Sequence, residues 1–204
     1  MNSKNILWLA FRAVWRARLG IWTIALTYAV SVVVGVGMVA SGNKPALETR
    51  DRLVSRSYAS DPASIALAKG QRLQAALADF GGNLFLGAIP STIEGLGVIF
   101  PYPFVFYRGW VGGIVSVNSD HTSRLADPGE AFYYIFTLIL QLIPYSLAAG
   151  AGVNLGIAAF RPRPIYQGKK WLLYPREALL DLLRIYLLVV PLFLAASLWE
   201  FLAH

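Results

Sequence analysis

The chain has 204 residues, of which 56% are hydrophobic and only 14% charged, and its mean hydropathy is +0.54. This composition excludes an ordinary soluble domain and is typical of an integral membrane protein. The formal charge of +7 would fit nucleic-acid binding, but the basic residues lie beside apolar segments, where anionic lipid and topology selection account for them. Because cysteine is absent, disulfides and thiolate metal sites are excluded.

The N-terminal part of the chain combines an amphipathic stretch with an uncharged one. Over residues 1–18, Leu7, Phe11 and Trp15 share one helical face, which predicts an amphipathic helix lying at the membrane interface. Residues 20–40 contain no charged side chain and are long enough to cross a hydrocarbon layer about 30 Å thick, so they are the predicted first span. A cleaved signal peptide is the alternative, but the apolar run is too long and the preceding segment too aromatic for one.

The next segment, residues 41–79, is the only long polar stretch and carries charges of both signs. Asp61 followed by Pro62 is typical of a helix N-cap and its first turn. We therefore predict an extramembrane loop that contains helices. Its length exempts it from the charge rule for topology, which applies to short loops.

Two interrupted apolar segments follow the polar loop. Residues 80–100 are broken by glycines, Pro90 and Glu94. Inside hydrocarbon, freed backbone groups need partners within the protein, so we predict a second span that is kinked near Pro90 and does not face lipid on all sides. A proline-rich turn separates it from a third, shorter predicted span at residues 103–118, which carries aromatic residues suited to the membrane interface.

The last two predicted spans are less interrupted. Asp127 is a candidate N-cap for a fourth helix over residues 130–160, which exceeds the bilayer thickness and should bend at Pro144. A strongly basic loop over residues 161–176 comes next. Residues 177–200 then provide the fifth span.

The distribution of cations predicts the orientation of these five spans. The basic N-terminus and the basic loop at residues 161–176 fall on the same side of a five-span protein, which places both in the cytoplasm and the C-terminus outside. We therefore expect an all-α, polytopic integral membrane helical bundle in the cytoplasmic (inner) membrane. It forms a single membrane domain over residues 1–204, with about five transmembrane helices, an interfacial N-terminal helix and an outer helical loop.

Small residues recur at helical spacing within the spans. Helices in lipid associate largely through close backbone approach, so these positions predict helix packing within the bundle, with self-association as the alternative. The candidate packing residues are Gly109, Gly113, Ala148, Gly152 and Gly156. Together with Gly150, the last two also imitate a dinucleotide-binding glycine pattern, but no strand precedes them. We therefore expect no cofactor.

Polar and charged residues within the spans are the main functional candidates. Glu94 stands out, because an intramembrane carboxylate is costly and is by default a candidate functional site. We predict that it belongs to a polar and ionic network with other intramembrane residues. The predicted members are Glu94, Arg108, Gln141, Asn154, Asp181 and Arg184. A structural network and a path for proton or substrate coupling are both compatible with this set, whereas Glu200 is expected at the interface.

The outer link contains the sole histidine that precedes the C-terminal residue. Asp120 and His121 could form a metal or catalytic group with Glu130, but one histidine beside one aspartate is a weak signal. No serine elbow, zinc-binding helix or phosphate loop occurs. We therefore predict that the protein is not an enzyme and has no catalytic or metal site.

Several glycine-rich motifs resemble those of a known family. They are "FGGNLFLGAIPSTIEGLG", "RGWVGG", "IPYSLAAGAGVNLG" and the terminal "LAASLWEF". In this order and over most of the chain, they resemble the stage II sporulation protein M family of bacterial and archaeal membrane proteins. The family usually has Asn-Gly at the positions of Arg108 and Gly109. It usually has Pro-His-Gly, followed by a Glu, at the positions of Pro144, Tyr145 and Ser146, and this sequence keeps the proline but lacks that histidine and glutamate.

The resemblance implies a membrane scaffold or a subunit of a membrane complex. The founding member is associated with spore engulfment and anchors peptidoglycan-degrading partners at the membrane. Our leading hypothesis is thus a non-enzymatic protein whose partners are the lipid bilayer and either other membrane proteins or further copies of itself, with no nucleic acid. The alternative is a permease-like subunit of a transporter or exporter, with a polar path around Glu94.

Overall fold

The structure, a computed structural model, describes residues 3–161 and 163–203, with side chains from residue 5 onward. The fold is 83% helical. Its helices are α1 (Ser3–Ala40), α2 (Lys44–Ser60), α3 (Pro62–Ala68), α4 (Arg72–Gly81), α5 (Ile89–Gly95), α6 (Pro101–Ile114), α7 (Pro128–Phe160) and α8 (Arg176–Leu202). A π-helical segment (Gly82–Ala88) joins α4 to α5, and a short antiparallel hairpin of β1 (Lys170–Trp171) and β2 (Tyr174–Pro175) precedes α8.

Three of the described helices are long and apolar enough to cross a membrane. Helices α1, α7 and α8 contain 38, 33 and 27 residues. At 1.5 Å per residue they are about 57, 50 and 40 Å long, which exceeds a hydrocarbon layer of about 30 Å. The prediction of a membrane-embedded helical protein is consistent with these three helices.

The exposed side of α1 is bulky and apolar, whereas its buried side consists mainly of small residues. The exposed side carries Leu7, Phe11, Trp15, Leu19, Trp22, Leu26, Val30 and Val33, and Trp22 is 71% exposed. The buried side includes Ala10, Ala13, Ala17, Gly20, Ser31 and Gly35. A water-soluble helix would bury its largest apolar side chains. The reverse arrangement is that of a helix surrounded by lipid, whose partners approach through small residues.

The N-terminal segment departs from the expected arrangement. A separate interfacial helix is predicted over residues 1–18, of which residues 1–2 lie outside the described residues. Residues 3–18 are instead the first part of α1, which continues without a break to Ala40. Gly20 does not end the helix. It lies against the carbonyl group of Gly150 and the side chain of Val153, where the missing side chain allows α1 to approach α7.

The second and third predicted spans also differ from expectation. Residues 72–95 form a continuous helical unit in which the irregular part is the π segment, while Pro90 lies in the first turn of α5. The unit ends at Gly95 and not near residue 100. Helix α6 has 14 residues, or about 21 Å, which is shorter than the hydrocarbon layer. The structure therefore supports three long spanning helices and does not establish five.

The polar segment after α1 is helical, as expected. Asn43 caps α2 by accepting a hydrogen bond from the backbone N–H of Ala46. Asp61 caps α3 in the same way, with Pro62 as the first helical residue. The predicted cap at Asp127 is present at the start of α7, where its carboxylate accepts from two backbone N–H groups.

Helix α7 forms the centre of the bundle. Hydrophobic clusters pack it against α1, the π segment and α8, and every residue from 146 to 156 is buried. Side-chain contacts show that α6 runs parallel to α1, that α5 runs parallel to α7, and that α8 runs antiparallel to α7. The basic loop and the hairpin lie at the end where α7 finishes and α8 begins.

Candidate functional site

A buried carboxylate holds together the end of the bundle at which α8 begins. Asp181 is 1% exposed. Arg16 of α1 donates to both of its oxygens, through Nε at 2.5 Å and through Nη2. Arg184 donates to Oδ1 at 2.9 Å, and the Tyr166 hydroxyl donates to Oδ2 at 3.0 Å. Asn154 extends the group by donating to the Tyr166 hydroxyl at 3.0 Å. We call these five residues the Asp181 network.

The Asp181 network is electrostatically complete. A buried charge is tolerated when it is paired and its remaining lone pairs are satisfied, and both conditions hold for Asp181. Burial raises the pKa of Tyr166, so its hydroxyl keeps the proton that it donates to the carboxylate at neutral pH. The network joins α1, α7, α8 and the turn between the last two, which is the arrangement of a structural clamp.

A second polar chain crosses the bundle beside the π segment. Ser197 and Asn83 donate to Oδ2 of Asp79 at 2.7 and 2.8 Å. The Tyr145 hydroxyl donates to Oδ1 of Asn83 at 2.7 Å, and the guanidinium of Arg108 lies 4.8 Å from the centre of the Tyr145 ring. We call this group the Asp79 chain. It connects α4, the π segment, α6, α7 and α8.

The geometry of the π segment accounts for two residues that the sequence singled out. Pro90 has no N–H to donate to the preceding turn, which leaves the carbonyl of Leu86 to find another donor. Arg108 supplies a long hydrogen bond from Nη2 at 3.4 Å. Gly87 lies directly against the Tyr145 hydroxyl, where any side chain would collide. π-helical turns occur frequently at functional sites, which makes this part of the bundle a candidate site.

The remaining two predicted network members lie elsewhere. Gln141 donates from Nε2 to Oε2 of Glu200 at 2.5 Å, while the hydroxyl of Tyr133 donates to the Glu200 backbone carbonyl. Glu94 is half-buried. Within the described part of the chain, its Oε2 has no hydrogen-bond partner, and its carboxylate forms no ion pair. Glu200 thus has a partner that the interfacial interpretation did not anticipate.

The six predicted network residues therefore do not form one site. Asn154, Asp181 and Arg184 belong to the Asp181 network, and Arg108 belongs to the Asp79 chain. The other two lie apart, as described above. Sequence reasoning missed Arg16 and Tyr166, which are the partners that complete the first network. The signal that could have found Arg16 was its positive charge close to the uncharged stretch of residues 20–40.

The small residues of α7 lie where other backbones approach closely. A side chain at Gly152 would collide with the backbone of Thr92, and one at Gly156 would collide with the carbonyl of Leu96. Ala148 is buried, and its carbonyl accepts a hydrogen bond from the Thr92 hydroxyl at 3.0 Å. The backbone that approaches these small residues belongs to α5 and to Leu96, which directly follows it.

The small residues of α6 are used in the same manner. Gly109 lies against the backbone of Tyr28 and the hydroxyl of Ser31. Gly113 meets the backbone of Gly35, so two glycines face each other where α6 contacts α1. All five candidate packing positions therefore lie against other segments of the same chain.

The link between α6 and α7, which contains His121, contacts α2. His121 Nε2 lies 3.0 Å from Oδ2 of Asp51, whose other oxygen accepts from Arg50 at 2.9 Å. These hydrogen bonds, first that of Arg50 and then that of His121, hold the pKa of Asp51 below its ordinary value. Within residues 3–161 and 163–203, no group of three or more His, Asp or Glu side chains could hold a metal ion.

The interior of the bundle is closely packed near the candidate residues. A cavity of about 10 Å³ is lined by residues that include Ser91, Arg108, Tyr145 and Ser146. A cavity of this size is at the lower limit for a single water molecule. The Ser146 hydroxyl is buried beside it without a hydrogen-bond partner in the described residues.

Comparison of the chain with protein-family models, with curated proteins and with solved structures finds no match. The resemblance to the stage II sporulation protein M family therefore stays a prediction that is based on the motifs in the sequence.

Proposed function

We propose that this protein is a non-enzymatic, five-crossing membrane protein that serves as a scaffold or subunit of a membrane protein complex. The α4–α5 unit and α6 would supply two crossings in addition to those of α1, α7 and α8. The helix directions support this assignment, because each successive unit runs opposite to the one before it. The basic loop and the first turns of α1 lie at one end, which supports a cytoplasmic N-terminus and an outer C-terminus.

The observation that carries the scaffold proposal is the completeness of the Asp181 network. A transporter that alternates between states needs intramembrane charges whose pairing can change. Asp181 is instead bonded by three donors from three segments, and the candidate residues are separated by packed side chains. This is what a rigid membrane platform requires.

The outer layer of α2 and α3 is the proposed surface for partner proteins. Its exposed side combines cations with an apolar aromatic group, because Arg52, Arg56 and Tyr58 are exposed and Tyr58 is 68% accessible. Aromatic and arginine side chains are enriched at protein interfaces. The motif resemblance to a family of membrane scaffolds supports the same assignment.

Site-specific photo-crosslinking tests the scaffold proposal. A photo-reactive phenylalanine analogue at Tyr58 should crosslink to one defined polypeptide in native membranes. The same analogue at Trp22, which is equally exposed but lies on the apolar side of α1, should crosslink to lipid. If Tyr58 yields no protein adduct while the chain is folded and membrane-inserted, the scaffold surface has been assigned wrongly.

A permease-like subunit is the second candidate function, and the Asp79 chain favours it. Asp79, Asn83, Tyr145 and Arg108 form a connected polar line past a π-helical turn, and Glu94 retains an unsatisfied oxygen. Proton or solute flux through reconstituted vesicles would support this function if Glu94→Gln abolished it. Equal flux in empty vesicles and in vesicles that contain the protein would count against it.

A further inference from the structure

The tip of the hairpin between α7 and α8 has an unusual composition and backbone. Leu172 and Leu173 form the two-residue turn and are 87% and 86% exposed. Both have positive φ angles, of 50° and 72°. Residues other than glycine rarely adopt positive φ, and leucine has no side-chain hydrogen bond to compensate for it. The adjacent Trp171 is half exposed.

The turn geometry makes the choice of leucine informative. Positive φ at both central residues is the type I′ arrangement, for which Asn-Gly is the preferred sequence. Leucine at both positions is unfavourable for the backbone and, in water, for the exposed side chains. An apolar solvent around the tip removes the second of these disadvantages.

The base of the hairpin has the opposite chemistry. The backbone N–H of Arg176 donates to the carbonyl of Lys169 at 3.0 Å, which places these two cations opposite each other at the end of the two strands. They line a cleft of about 150 Å³ together with Tyr166, Gln167 and Glu177.

The charges in this cleft favour an anion. Glu177 is directed towards Arg184, with a nitrogen–oxygen distance of 3.5 Å. Arg176 stacks on the Trp171 ring at 4.8 Å, and in the described part of the chain neither Arg176 nor Lys169 forms an ion pair. Two neighbouring cations without carboxylate partners are suited to a phosphate group.

The location of the hairpin relates both features to the membrane. It lies between the end of α7 and the start of α8, two helices long and apolar enough to span the bilayer. Phe160 at the end of α7 and Ile165 in the following loop are also exposed apolar residues. Apolar tips flanked by cations are the chemistry of segments that bind at the surface of an anionic membrane.

We propose that this hairpin is a lipid-binding element. Leu172 and Leu173 enter the acyl region beside α8, and the cleft between Lys169 and Arg176 binds the phosphate of an anionic phospholipid. The inference requires only that the bundle is membrane-embedded. It does not depend on the scaffold proposal or on which side of the membrane this end faces, so the two can fail separately.

The depth of the tip can be measured because the chain has no cysteine. Leu172→Cys introduces a single thiol for a nitroxide label on a surface side chain, and Ser60→Cys on α2 is the water-exposed control. In bilayers, the Leu172 label should collide preferentially with oxygen and the Ser60 label with a water-soluble nickel complex. Equal nickel accessibility at both positions would overturn the insertion of the tip.

Lipid selectivity tests the cleft. The purified full chain should retain phosphatidylglycerol over phosphatidylcholine when both are titrated and detected by native mass spectrometry. Lys169→Gln combined with Arg176→Gln should reduce this retention about tenfold, which corresponds to about 1.4 kcal/mol. The matched control, Arg52→Gln with Arg56→Gln on α2, should leave it unchanged. Equal loss in both pairs would mean that only net charge matters and would refute the cleft.

A further variant separates the tip from the fold of the hairpin. Leu172→Asn with Leu173→Gly favours the observed turn while removing the apolar tip. It should preserve thermal stability and lose most lipid retention. Unchanged retention would overturn the role of the leucines. Inorganic phosphate should not compete with the lipid at equal concentration, and displacement by it would assign the cleft to a soluble anion.

Discussion

Arg16 and Asp181 are separated by 165 residues in the sequence, yet Nε of Arg16 donates to Oδ2 of Asp181 at 2.5 Å. This contact attaches the first turns of α1 to the start of α8. It accounts for the continuity of α1, because an interfacial helix lying along the membrane surface would place Arg16 in headgroups and leave Asp181 without its main partner. The pair thus links the course of the N-terminal helix to the closure of the bundle.

Removing the carboxylate of this pair should destabilise the bundle. We expect Asp181→Ala to lower the free energy of unfolding by about 3–5 kcal/mol, because it leaves the partly buried Arg16 and Arg184 without their shared partner. Thermal unfolding in detergent measures the effect. Glu177→Gln, at an exposed carboxylate that contacts the same Arg184, is the control and should change stability by less than about 1 kcal/mol. Equal effects would show that the burial of Asp181 has no energetic role.

Two glycines with contrasting surroundings provide a test of helix packing. Gly152→Ala places a methyl group against the backbone of Thr92, and we expect a loss of about 1–3 kcal/mol from overpacking. Gly37→Ala in α1 has no atom within 4 Å of the new methyl group, so it should be neutral or stabilising by about 0.5–1 kcal/mol. Equal stability of the two variants would contradict the close contact between α5 and α7.

The carbonyl of Leu86 provides a test of the π segment. Arg108→Met removes its hydrogen-bond donor, in a contact that is long and exposed, and we expect a loss of about 0.5–1.5 kcal/mol, which is the ordinary net contribution of one hydrogen bond. Pro90→Ala restores a backbone N–H four residues later. Combined with Arg108→Met, it should recover part of the loss, whereas additive losses in the double variant would rule out a shared role at this carbonyl.

Acidification should release the outer link from α2. Hydrogen bonds from Arg50 and His121 hold the pKa of Asp51 below its ordinary value. The ionised Asp51 carboxylate therefore stabilises the contact between α2 and the link at pH values above the ordinary pKa of about 3.9. This stabilisation is lost as the pH falls through the lowered pKa of the folded state. Hydrogen-exchange protection factors in residues 116–124, which are corrected for the intrinsic exchange rate at each pH, should decrease over this acid range. In Asp51→Asn, exchange should already be faster at neutral pH and should not depend on this titration.

Single cysteines can determine the orientation. In the cysteine-free chain, Ser60→Cys and Gln167→Cys both lie at exposed positions but on opposite ends of the bundle. A membrane-impermeant maleimide added to intact cells should label Ser60→Cys and should label Gln167→Cys only after lysis. Labelling of both, or of Gln167→Cys alone, would refute a cytoplasmic basic loop.

Local sequence was sufficient to predict the three long apolar helices and several helix ends. Asp61 and Asp127 cap α3 and α7 as their neighbours in the sequence predict, because a cap involves residues only a few positions apart. Hydropathy over residues 20–40, 130–160 and 177–200 is likewise a local property.

The pairing of the polar side chains could not be read in this way. The sequence singled out Asp181 and Asn154 as polar residues within apolar segments, but their connection through Tyr166 and the contribution of Arg16 depend on which helices become neighbours. The extent of α1 and of the α4–α5 unit depended on the same contacts. Helical periodicity shows which residues share a face of one helix. The group that meets this face is set by packing between separate segments, which for Arg16 and Asp181 are 165 residues apart.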